Sequence, residues 1–485
     1  MLRPYQDTAI DAIRGEIGSG KKRVLLVMPT GAGKTQVAAE MIRAAAKKGN
    51  STLFVAHRRE LVDQAVDRLK RDHNIEAGVI MAGRPRRDGS VMVASIQTLM
   101  RRELPANTRF LVCDEAHHAA ADSWRKLLER IPGAVTVGLT ATPWRLDGRG
   151  LQDMFDSIVV GATPSDLLAQ GYLCKATGRA YVPPDFSGVT IRNGDYDSAG
   201  LTKAYRESKV LGDIVERWQS NCAGKRTILF AASIEISEEL VARFVAAGVA
   251  AEHLDYKTPS GPRREIINRV RSGETTVVSN VGILGEGVDV PELEVAILAR
   301  PTKSLSVFLQ QIGRVLRPSP GKDRAWIHDH ANCIVTHGFW DLDRDYSLTK
   351  SREKDAGEAP VKNCPQCFCA VAAGCLVCPE CGFEFPMKQT PVDEGGEHKE
   401  LTLEELRLML AQKNDRDSLF VSFMNEAKQM GRAPGWVIYR LKDLLGAGLV
   451  FPQALWKAHV TGHKGAWAWR DPFVRAADMK PELWT

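Results

Sequence analysis

The sequence contains no run of about eighteen apolar residues, the length that a membrane-spanning helix needs. Its first residues, MLRPYQDTAIDAIRG, also lack the apolar stretch of a secretory signal peptide. Gly and Pro, at 41 and 24 of 485 residues, are too few for a fibrous or low-complexity chain. These absences argue against a membrane protein, and we expect a soluble, cytoplasmic, globular one.

A strong charge of either sign is also absent. Lys and Arg number 65 against 59 Asp and Glu, which gives a formal net charge of +6. This mildly basic balance is compatible with a polyanionic partner and equally with an ordinary solvated surface. The length of 485 residues is too great for one hydrophobic core and predicts about three domains.

Two stretches of the chain alternate short apolar runs with amphipathic segments. The runs RVLLVMP, STLFVAH and FLVCDEAH are predicted strands, and TQVAAEMIRAAAKK is a predicted helix between them. The pattern returns after about residue 225 with RTILFAAS, EVAILAR and the helix EISEELVARFVAAG. This alternation predicts an α/β fold with two tandem, doubly wound parallel-sheet domains. Residues 150–200, rich in Gly, Pro and Asp, are expected to form surface loops.

Beyond residue 347 the composition becomes polar and then helical in pattern. TKSREKDAGEAP and KQTPVDEGGEHKE are predicted linkers. After Leu401 the three-to-four spacing of apolar residues predicts a helical C-terminal domain. This domain holds five of the ten tryptophans, which either stack on unpaired bases or form a small core: Trp436, Trp456, Trp467, Trp469 and Trp484.

The octet MPTGAGKT, ending at Thr35, follows a predicted strand and precedes a predicted helix, which is the context of a P-loop. Its small residues let backbone N–H groups surround phosphates, and the predicted contacts are Thr30, Gly31 and Gly33. Lys34 is predicted to reach the β and γ phosphates of ATP, and Thr35 to hold Mg²⁺. The octet departs from the usual pattern at its first position, where Met28 stands in place of Gly.

A second motif, VCDEAHH, ends another predicted strand. At the carboxyl end of a strand, Asp114 is placed to hold magnesium and Glu115 to polarise the attacking water. Such an acidic pair can also cap a following helix. The P-loop upstream favours the catalytic interpretation, so the two motifs together predict an ATPase.

Together these motifs resemble those of DEAH-box helicases and translocases of superfamily 2. LRPYQ resembles the Q element, VAHRRELVDQ motif Ia, ASIQTL motif Ic and LTATPWRLDG motif III. TILFAASIEISEEL, NVGILGEGVDVP and QQIGRVLR resemble motifs IV, V and VI. The resemblance covers residues 1–335 and is nearest to XPB/UvsW-like enzymes and phage-encoded helicases of that kind. Motif IV differs, because Ile236 stands where close relatives usually have His.

The resemblance implies a domain plan and a function. Two RecA-like domains are expected at 1–155 and 156–350, followed by a zinc ribbon at 363–388 and the helical domain at 401–485. The implied activity is ATP-dependent movement on DNA, or its unwinding, in phage-type replication, recombination or repair in the bacterial host cytoplasm. Single-stranded, forked or branched DNA is the expected partner, and the C-terminal domain is expected to offer a site for a replication or repair protein.

The resemblance also implies roles for residues in the nucleotide site. Gln6 corresponds to the residue that reads adenine, and Gln310 to one that contacts the triphosphate region. Arg314 and Arg317 lie three apart on a predicted helix, where they would share a face. By resemblance they reach the γ-phosphate as arginine fingers.

Further positions correspond to nucleic-acid contacts and to coupling. Arg58 and Thr98 are expected to grip phosphates, by contacts that are blind to sequence and sensitive to salt. Gly287 and Asp289 match motif V positions that touch nucleotide and nucleic acid. The residues expected to couple hydrolysis to movement are His117, Thr140 and Thr142.

Six of the ten cysteines fall between Cys364 and Cys381. Cys364 with Cys367, and Cys378 with Cys381, form two Cys-Pro-x-Cys pairs that predict a tetrahedral, structural Zn²⁺ site. Cys375 offers a competing pair with Cys378, and the role of Cys369 is open. A redox role is the other interpretation, although a thioredoxin-like setting is missing.

Three other functions are compatible with these motifs. The first is an RNA helicase, since motor motifs that hold phosphates do not read the 2′-hydroxyl. The second is the motor subunit of a restriction system, although the sequence shows no convincing nuclease motif. The third is a helicase loader or adaptor that binds a partner protein through the ribbon and the C-terminal domain.

Overall fold

The computed structural model of the chain describes residues 2–117, 121–144, 150–192, 194–285, 289–349 and 361–386. The expected helical domain at 401–485 and Gly287 lie outside these residues. Within the described ranges, no helix is long and apolar enough to cross a membrane.

Seven parallel strands form the first sheet. They are β1 (Arg23–Val27), β2 (Thr52–Ala56), β3 (Gly78–Ile80), β4 (Val91–Ser95), β5 (Phe110–Cys113), β6 (Val135–Thr140) and β7 (Ser157–Val160). Their order is β3-β4-β2-β5-β6-β1-β7, and all neighbours run parallel. The accompanying helices are α1 (Pro4–Gly18), α2 (Lys34–Lys47), α3 (Arg59–His73), α4 (Ile96–Leu99), α5 (Ala121–Arg130) and α6 (Pro164–Ala169).

The first sheet is buried on both faces, as the sequence predicted. Val24 and Leu26 of β1 belong to one hydrophobic core, whereas Leu25 and Val27 belong to another. Since successive side chains of a strand point to opposite faces, this division means that helices cover each face.

Six parallel strands form the second sheet. They are β8 (Ala176–Ala180), β11 (Thr227–Ala231), β12 (Ala251–Leu254), β13 (Val277–Asn280), β14 (Val295–Ala299) and β15 (Ala325–Asp329), in the order β12-β13-β11-β14-β15-β8. Between β8 and β11 lies a small antiparallel hairpin, β9 (Ile191–Arg192) and β10 (Asp195–Tyr196). The helices are α7 (Ser198–Glu207), α8 (Val210–Cys222), α9 (Ile234–Ala246), α10 (Ser260–Ser272), α11 (Leu305–Ile312) and α12 (Cys333–His337). The predicted pair of doubly wound domains is therefore confirmed.

The expectation of surface loops over residues 150–200 is wrong in part. This stretch supplies β7 to the edge of the first sheet and β8 to the edge of the second. Strand β8 (ATGRA) contains Gly and Arg and so lacks the apolar run that marks an interior strand, and β7 (SIVV) is only four residues long. Because β7 pairs with β1, we propose a boundary between the two domains after Val160 rather than at residue 155.

A small antiparallel pair follows the second sheet. Strands β16 (Val361–Asn363) and β17 (Ala370–Ala372) flank the first cysteine pair. The ribbon lies against β8: the Ala180 N–H donates to the Phe368 carbonyl at 3.0 Å, and Arg179 Nη1 donates to the Cys367 carbonyl at 2.7 Å. The cysteine-rich ribbon therefore packs on the second sheet.

Candidate active site

Three motifs meet at one edge of the first sheet. The P-loop follows β1, the DEAH box follows β5 and motif III follows β6, and these strands are neighbours in the order β5-β6-β1. In parallel strands all carboxyl ends lie at the same edge, which is where open α/β sheets bind ligands. The sheet topology thus brings together residues that are far apart in sequence.

The P-loop contains two glycines in the left-handed backbone region, Gly31 at φ +91° and Gly33 at φ +82°. A Cβ on Gly33 would lie 2.4 Å from Nε2 of Gln6. Glycine is therefore required at position 33 by both its backbone conformation and the close approach of Gln6.

The Q element packs directly on the P-loop. Gln6 is buried, and its Nε2 donates to the Ala32 carbonyl at 3.0 Å. Tyr5 donates its hydroxyl to the same carbonyl at 2.8 Å. The role predicted for Gln6, reading adenine, stays a prediction, but its contact with the loop places it beside the nucleotide site. Tyr5 is an additional residue that the motif analysis did not single out.

Lys34 is 8 % exposed at the start of α2. Its Nζ donates to the carbonyls of Met28, at 3.1 Å, and Pro29, at 3.4 Å. Burial lowers the pKa of Lys34, and the nearby carboxylates of Glu115 and Asp114 oppose that shift. Lys34 and the acidic pair therefore lie within electrostatic reach of each other. Thr35 follows as the second residue of α2.

The acidic pair lies directly after β5. Asp114 is buried, and its Oδ1 accepts the Glu115 N–H at 3.1 Å. Glu115 adopts a left-handed backbone with φ +49°, an uncommon conformation for a residue other than glycine. This turn directs Glu115 toward the site, where its Oε2 lies 3.4 Å from Nδ1 of His117.

His117 connects the first domain to the second. Its Nδ1 lies 2.8 Å from Oγ1 of Thr140, and that hydroxyl donates to the Thr142 carbonyl at 2.5 Å. Because the Thr140 proton is used there, His117 Nδ1 is the donor in the first contact. Nε2 faces the Ser306 hydroxyl at 2.8 Å and Nε2 of Gln310 at 3.3 Å.

The three residues predicted to couple hydrolysis to movement thus form one hydrogen-bonded group, which reaches motif VI. Ser306 was missed by the sequence analysis because it lies just outside the motif VI pattern. Its position four residues before Gln310 on α11, and so on the same helix face, is the signal that was available.

The predicted helix through Arg314 and Arg317 is wrong in its length. Helix α11 ends at Ile312, and Gly313 is its C-terminal cap. A Cβ on Gly313 would lie 2.4 Å from Cβ and Cγ2 of Thr30. The close approach of the P-loop therefore needs Gly at this position, and Gly weakens the helix there. Arg314 lies in the turn that follows α11 and Arg317 in a bend beyond it, so the two do not share one helix face.

Both arginines nevertheless lie at the cleft between the domains. Arg314 is 5 % exposed. A Cβ built on Gly31 of the P-loop would lie 3.6 Å from Cγ of Arg317. The guanidinium of Arg317 forms an ion pair with Asp289. The turn after α11 therefore brings the predicted arginine fingers and the motif V aspartate next to the phosphate-binding loop.

Arg58 and Thr98, the two residues predicted to contact phosphates, lie in different surroundings. Arg58 Nη1 donates to the Gly282 carbonyl of motif V at 2.8 Å, so it bridges the two domains. Thr98 is 9 % exposed, and its hydroxyl oxygen accepts the Ala82 N–H at 3.1 Å. Direct contact of Thr98 with phosphate stays a prediction, and its hydroxyl already holds a neighbouring loop.

Four cysteines come together in the ribbon. The Sγ atoms of Cys364, Cys367, Cys378 and Cys381 all lie within 4.8 Å of one another. The distances from Cys364 to Cys381 and from Cys367 to Cys378 are both 3.6 Å. A tetrahedral Zn²⁺ with Zn–S bonds of about 2.3 Å requires Sγ–Sγ distances of about 3.8 Å, so this geometry fits zinc. The thiol of Cys375 instead contacts the Val377 carbonyl at 3.0 Å.

Comparison with known families agrees with this geometry. Residues 1–145 match the family described as type III restriction enzyme, res subunit, and residues 208–319 match the helicase conserved C-terminal domain. The chain belongs to helicase superfamily 2. As a member of this superfamily it is an ATP-dependent enzyme of the helicase type.

Two relatives show which members of superfamily 2 this chain is similar to. A 51.5 kDa protein of a Lactococcus phage is 31% identical over 399 residues, which are 80% of this chain and 83% of the phage protein. The DNA 3'-5' translocase XPB2 of Sulfurisphaera tokodaii is 26% identical over 395 residues, covering 73% of this chain and 84% of the translocase. The suspected similarity to XPB-like and phage helicases is confirmed.

A solved structure supports the fold. A fragment of a candidate HsdR subunit of a type I restriction enzyme from Vibrio vulnificus superposes with a TM-score of 0.55 at 22% sequence identity. The match covers 71% of this chain and 67% of the fragment. At this identity the likeness shows a shared fold and nothing further about activity.

Proposed function

We propose that this superfamily 2 helicase uses ATP hydrolysis to move along or unwind DNA, in phage-type replication, recombination or repair. The observation that supports this most is the single cleft at which the P-loop, the acidic pair and the arginines after α11 converge. The similarity to a DNA 3'-5' translocase and to a phage protein supports DNA as the track and a phage setting.

Each residue of the cleft has a proposed part in hydrolysis. Lys34 leaves the carbonyls of Met28 and Pro29 and binds the β and γ phosphates, while P-loop N–H groups hold the phosphate oxygens. Asp114 and Thr35 would hold Mg²⁺, which would neutralise phosphate charge when bound. Glu115 orients the attacking water and accepts its proton.

The remaining residues sense the γ-phosphate across the cleft. Arg314 and Arg317 stabilise the charge that develops on it, and Arg317 exchanges Asp289 for phosphate. Loss of the γ-phosphate removes this link, so the domains shift, and the group of His117, Thr140 and Gln310 transmits the change. Movement on nucleic acid follows when the two domains grip the strand alternately.

The four-cysteine cluster is proposed to bind a structural zinc ion. Its four thiolates would fill a tetrahedral shell, which leaves no open position for catalysis. The ribbon at 363–388 then acts as an extension of the second motor domain, and the segment at 401–485 is proposed as a further domain for DNA or a partner protein.

A second candidate function is the motor of a restriction system. It is favoured by the match of residues 1–145 to the res subunit family of type III restriction enzymes. This function requires a nuclease, so the chain would take part in DNA cleavage only together with a nuclease subunit. Co-purification of a nuclease or methyltransferase from the native cell would support it.

The deciding experiment measures ATP turnover without nucleic acid and with single-stranded DNA, duplex DNA, forked DNA or RNA. We expect stimulation by DNA and little by RNA. Stimulation by RNA alone would overturn the DNA assignment, and stimulation by none of them would favour the loader or adaptor function. Lys34→Ala and Glu115→Gln serve as controls, because both should abolish turnover while Glu115→Gln still binds ATP.

A further inference from the structure

A lysine outside the helicase motifs contacts two of them. Nζ of Lys322 lies within hydrogen-bond distance of four main-chain carbonyl oxygens, those of Pro291 at 3.3 Å, Leu293 at 2.6 Å, Val315 at 2.5 Å and Arg317 at 2.9 Å. We propose that Lys322 is a positioning residue for ATP hydrolysis, because its ammonium joins motif V to the arginine segment, residues 313–317, which carries the two predicted arginine fingers. The inference rests on the proposed function of Arg317, and it deepens that function by naming the charge that holds this arginine in place.

The carbonyls of the arginine segment receive hydrogen bonds from other parts of the chain. The carbonyls of Val315 and Arg317 accept from Lys322. The Leu316 carbonyl between them accepts the Cys174 N–H at 2.7 Å. Val315 and Leu316 are buried, and a buried carbonyl that loses its donor is costly. Since the segment begins where α11 ends, its conformation depends on these external donors.

The same ammonium holds the end of motif V. Asp289 of this motif forms an ion pair with Arg317. Pro291 and Leu293, which follow Asp289 in the chain, are the residues whose carbonyls contact Lys322. Lys322 therefore fixes both the segment that carries the aspartate and the segment that carries the arginine. Groups that are held in place before the reaction need no reorganisation when charge develops on the γ-phosphate.

The strength of this contact depends on the charge of Lys322. Burial lowers the pKa of Lys322 to about 8. The nearby Cys174, Glu294 and Glu292 side chains oppose that shift, whereas Arg317 adds to it. A hydrogen bond from an ammonium is about twice as strong as one from a neutral amine. Since the neutral amine predominates above about pH 8, we expect the contact to weaken as the pH rises through that value.

The test uses the full-length protein and removes the charge of one half-buried lysine. Lys322→Met keeps an unbranched side chain of similar length without the ammonium. Lys225→Met is the matched control, because Lys225 is another half-buried lysine of the second domain and pairs with the Glu294 carboxylate at 3.2 Å. ATP turnover at pH 7 with saturating single-stranded DNA, measured over a series of ATP concentrations, gives kcat and KM for each protein.

We expect Lys322→Met to lower kcat by about ten-fold or more and to leave KM within about two-fold of the wild-type value. The reason is that Arg317 is proposed to act on the transition state, so its displacement affects the chemical step more than the binding of ATP. Lys225→Met should keep both wild-type values. Thermal unfolding checks that each variant is folded at the temperature of the assay.

A second variant, Lys322→Arg, keeps the charge at every pH of the assay, since the pKa of an arginine side chain is above about 12. Wild-type kcat should fall about five- to ten-fold between pH 7 and pH 9, whereas Lys322→Arg keeps kcat near the wild-type value at pH 7 and shows little of this fall. Lys34 is a buried lysine whose pKa is also lowered by burial. It is unchanged in Lys322→Arg, so a fall that persists in that variant belongs to Lys34. This comparison decides the proposal even if Lys322→Met does not fold.

The results that would overturn the proposal differ in meaning. Wild-type kcat in Lys322→Met, or an equal fall at high pH in wild type and Lys322→Arg, would show that Lys322 does not position the arginine while the ATP site itself stands. Wild-type turnover in Arg317→Ala would instead remove the proposed role of Arg317, and the inference with it. Absence of ATP turnover by the wild-type protein with every DNA and RNA tried would remove the proposed function as a whole.

Discussion

At the scale of single residues, His117 contacts Thr140 of the first domain and Ser306 of the second. The hydroxyl of Thr140 accepts the proton of Nδ1, and Nε2 faces the Ser306 hydroxyl across the cleft at 2.8 Å. Such a buried hydrogen bond contributes about 1 kcal/mol, and without it Nε2 of Gln310, at 3.3 Å, is still beside His117 Nε2. A change of one hydroxyl at position 306 should therefore be measurable in the motor cycle.

We predict that Ser306→Ala lowers nucleic-acid-stimulated ATP turnover about ten-fold, because His117 Nε2 loses its nearest donor and about 1.4 kcal/mol is one factor of ten in rate. Steady-state turnover with saturating ATP measures this effect. Ser272→Ala is the matched control, since that hydroxyl caps the exposed end of α10 and should keep the wild-type rate. Equal rates for Ser306→Ala and wild type would remove Ser306 from the coupling group.

At the scale of elements, the ribbon completes an edge of the second sheet. Its first cysteine turn pairs with β8 through Ala180 and Phe368. Glu380, beside Cys381, accepts hydrogen bonds from Thr177 at 3.2 Å and from Arg324 at 3.0 Å. If zinc joins the two cysteine pairs as proposed, its removal should loosen the ribbon from β8.

We predict that Cys364→Ser lowers bound zinc to well below one ion per chain, whereas Cys375→Ser keeps it. The reason is geometric, since Cys364 lies within the four-sulfur cluster and Cys375 points to the Val377 carbonyl. Elemental analysis of the purified proteins gives the zinc content. Loss of zinc in the Cys375 variant and not in the Cys364 variant would mean that the ligand set is wrong.

At the scale of the whole molecule, the two motor domains are joined by separate side-chain contacts rather than by a shared sheet. Arg263 pairs with Glu60, and Arg58 reaches Gly282. The segment after α12 also returns to the first domain, where the Leu348 carbonyl accepts the N–H groups of Leu151 and Gln152 at 2.8 and 3.0 Å. Contacts of this kind can be broken and remade, as a domain movement driven by ATP requires.

The stability of the second domain should depend on pH, because histidines are buried in that domain. Burial, assisted by Arg179, lowers the pKa of His328 to about 3, and burial also lowers the pKa of His330 well below its ordinary value. Below about pH 6.5 the unfolded chain binds protons that the folded chain does not, so stability falls as the pH falls, by about 1.4 kcal/mol per pH unit for each such histidine.

We predict that the thermal unfolding midpoint decreases between pH 6.5 and 5, and that His328→Asn weakens this decrease. The same variant at pH 7.5 is the internal control, because there the histidine is neutral in both states and only a packing difference remains. Calorimetry over this pH range provides the measurement. A pH dependence that is identical in variant and wild type would show that His328 is protonated in the folded domain.

The sequence by itself determined the motor plan. Apolar runs buried on both faces predicted two parallel sheets, and the residue types of the P-loop and the DEAH box predicted an ATP site, because backbone N–H groups, an ammonium and paired carboxylates are what a nucleotide with magnesium requires. Two Cys-Pro-x-Cys pairs likewise predicted the members of the sulfur cluster. Each of these patterns lies within a short stretch of residues, so the sequence alone is enough to recognise it.

Only the tertiary structure showed which contacts form between elements that are far apart in sequence. The contact of Ser306 with His117 joins residues 189 positions apart, and α11 ends at Ile312, where Gly313 lies close to Thr30. The edge strand β8 and the hydrogen bond from the Ala82 N–H to the Thr98 hydroxyl were likewise not evident in the pattern of residues. These features depend on how packed sheets and loops contact each other in three dimensions. The spacing of apolar residues along the chain does not reveal those contacts.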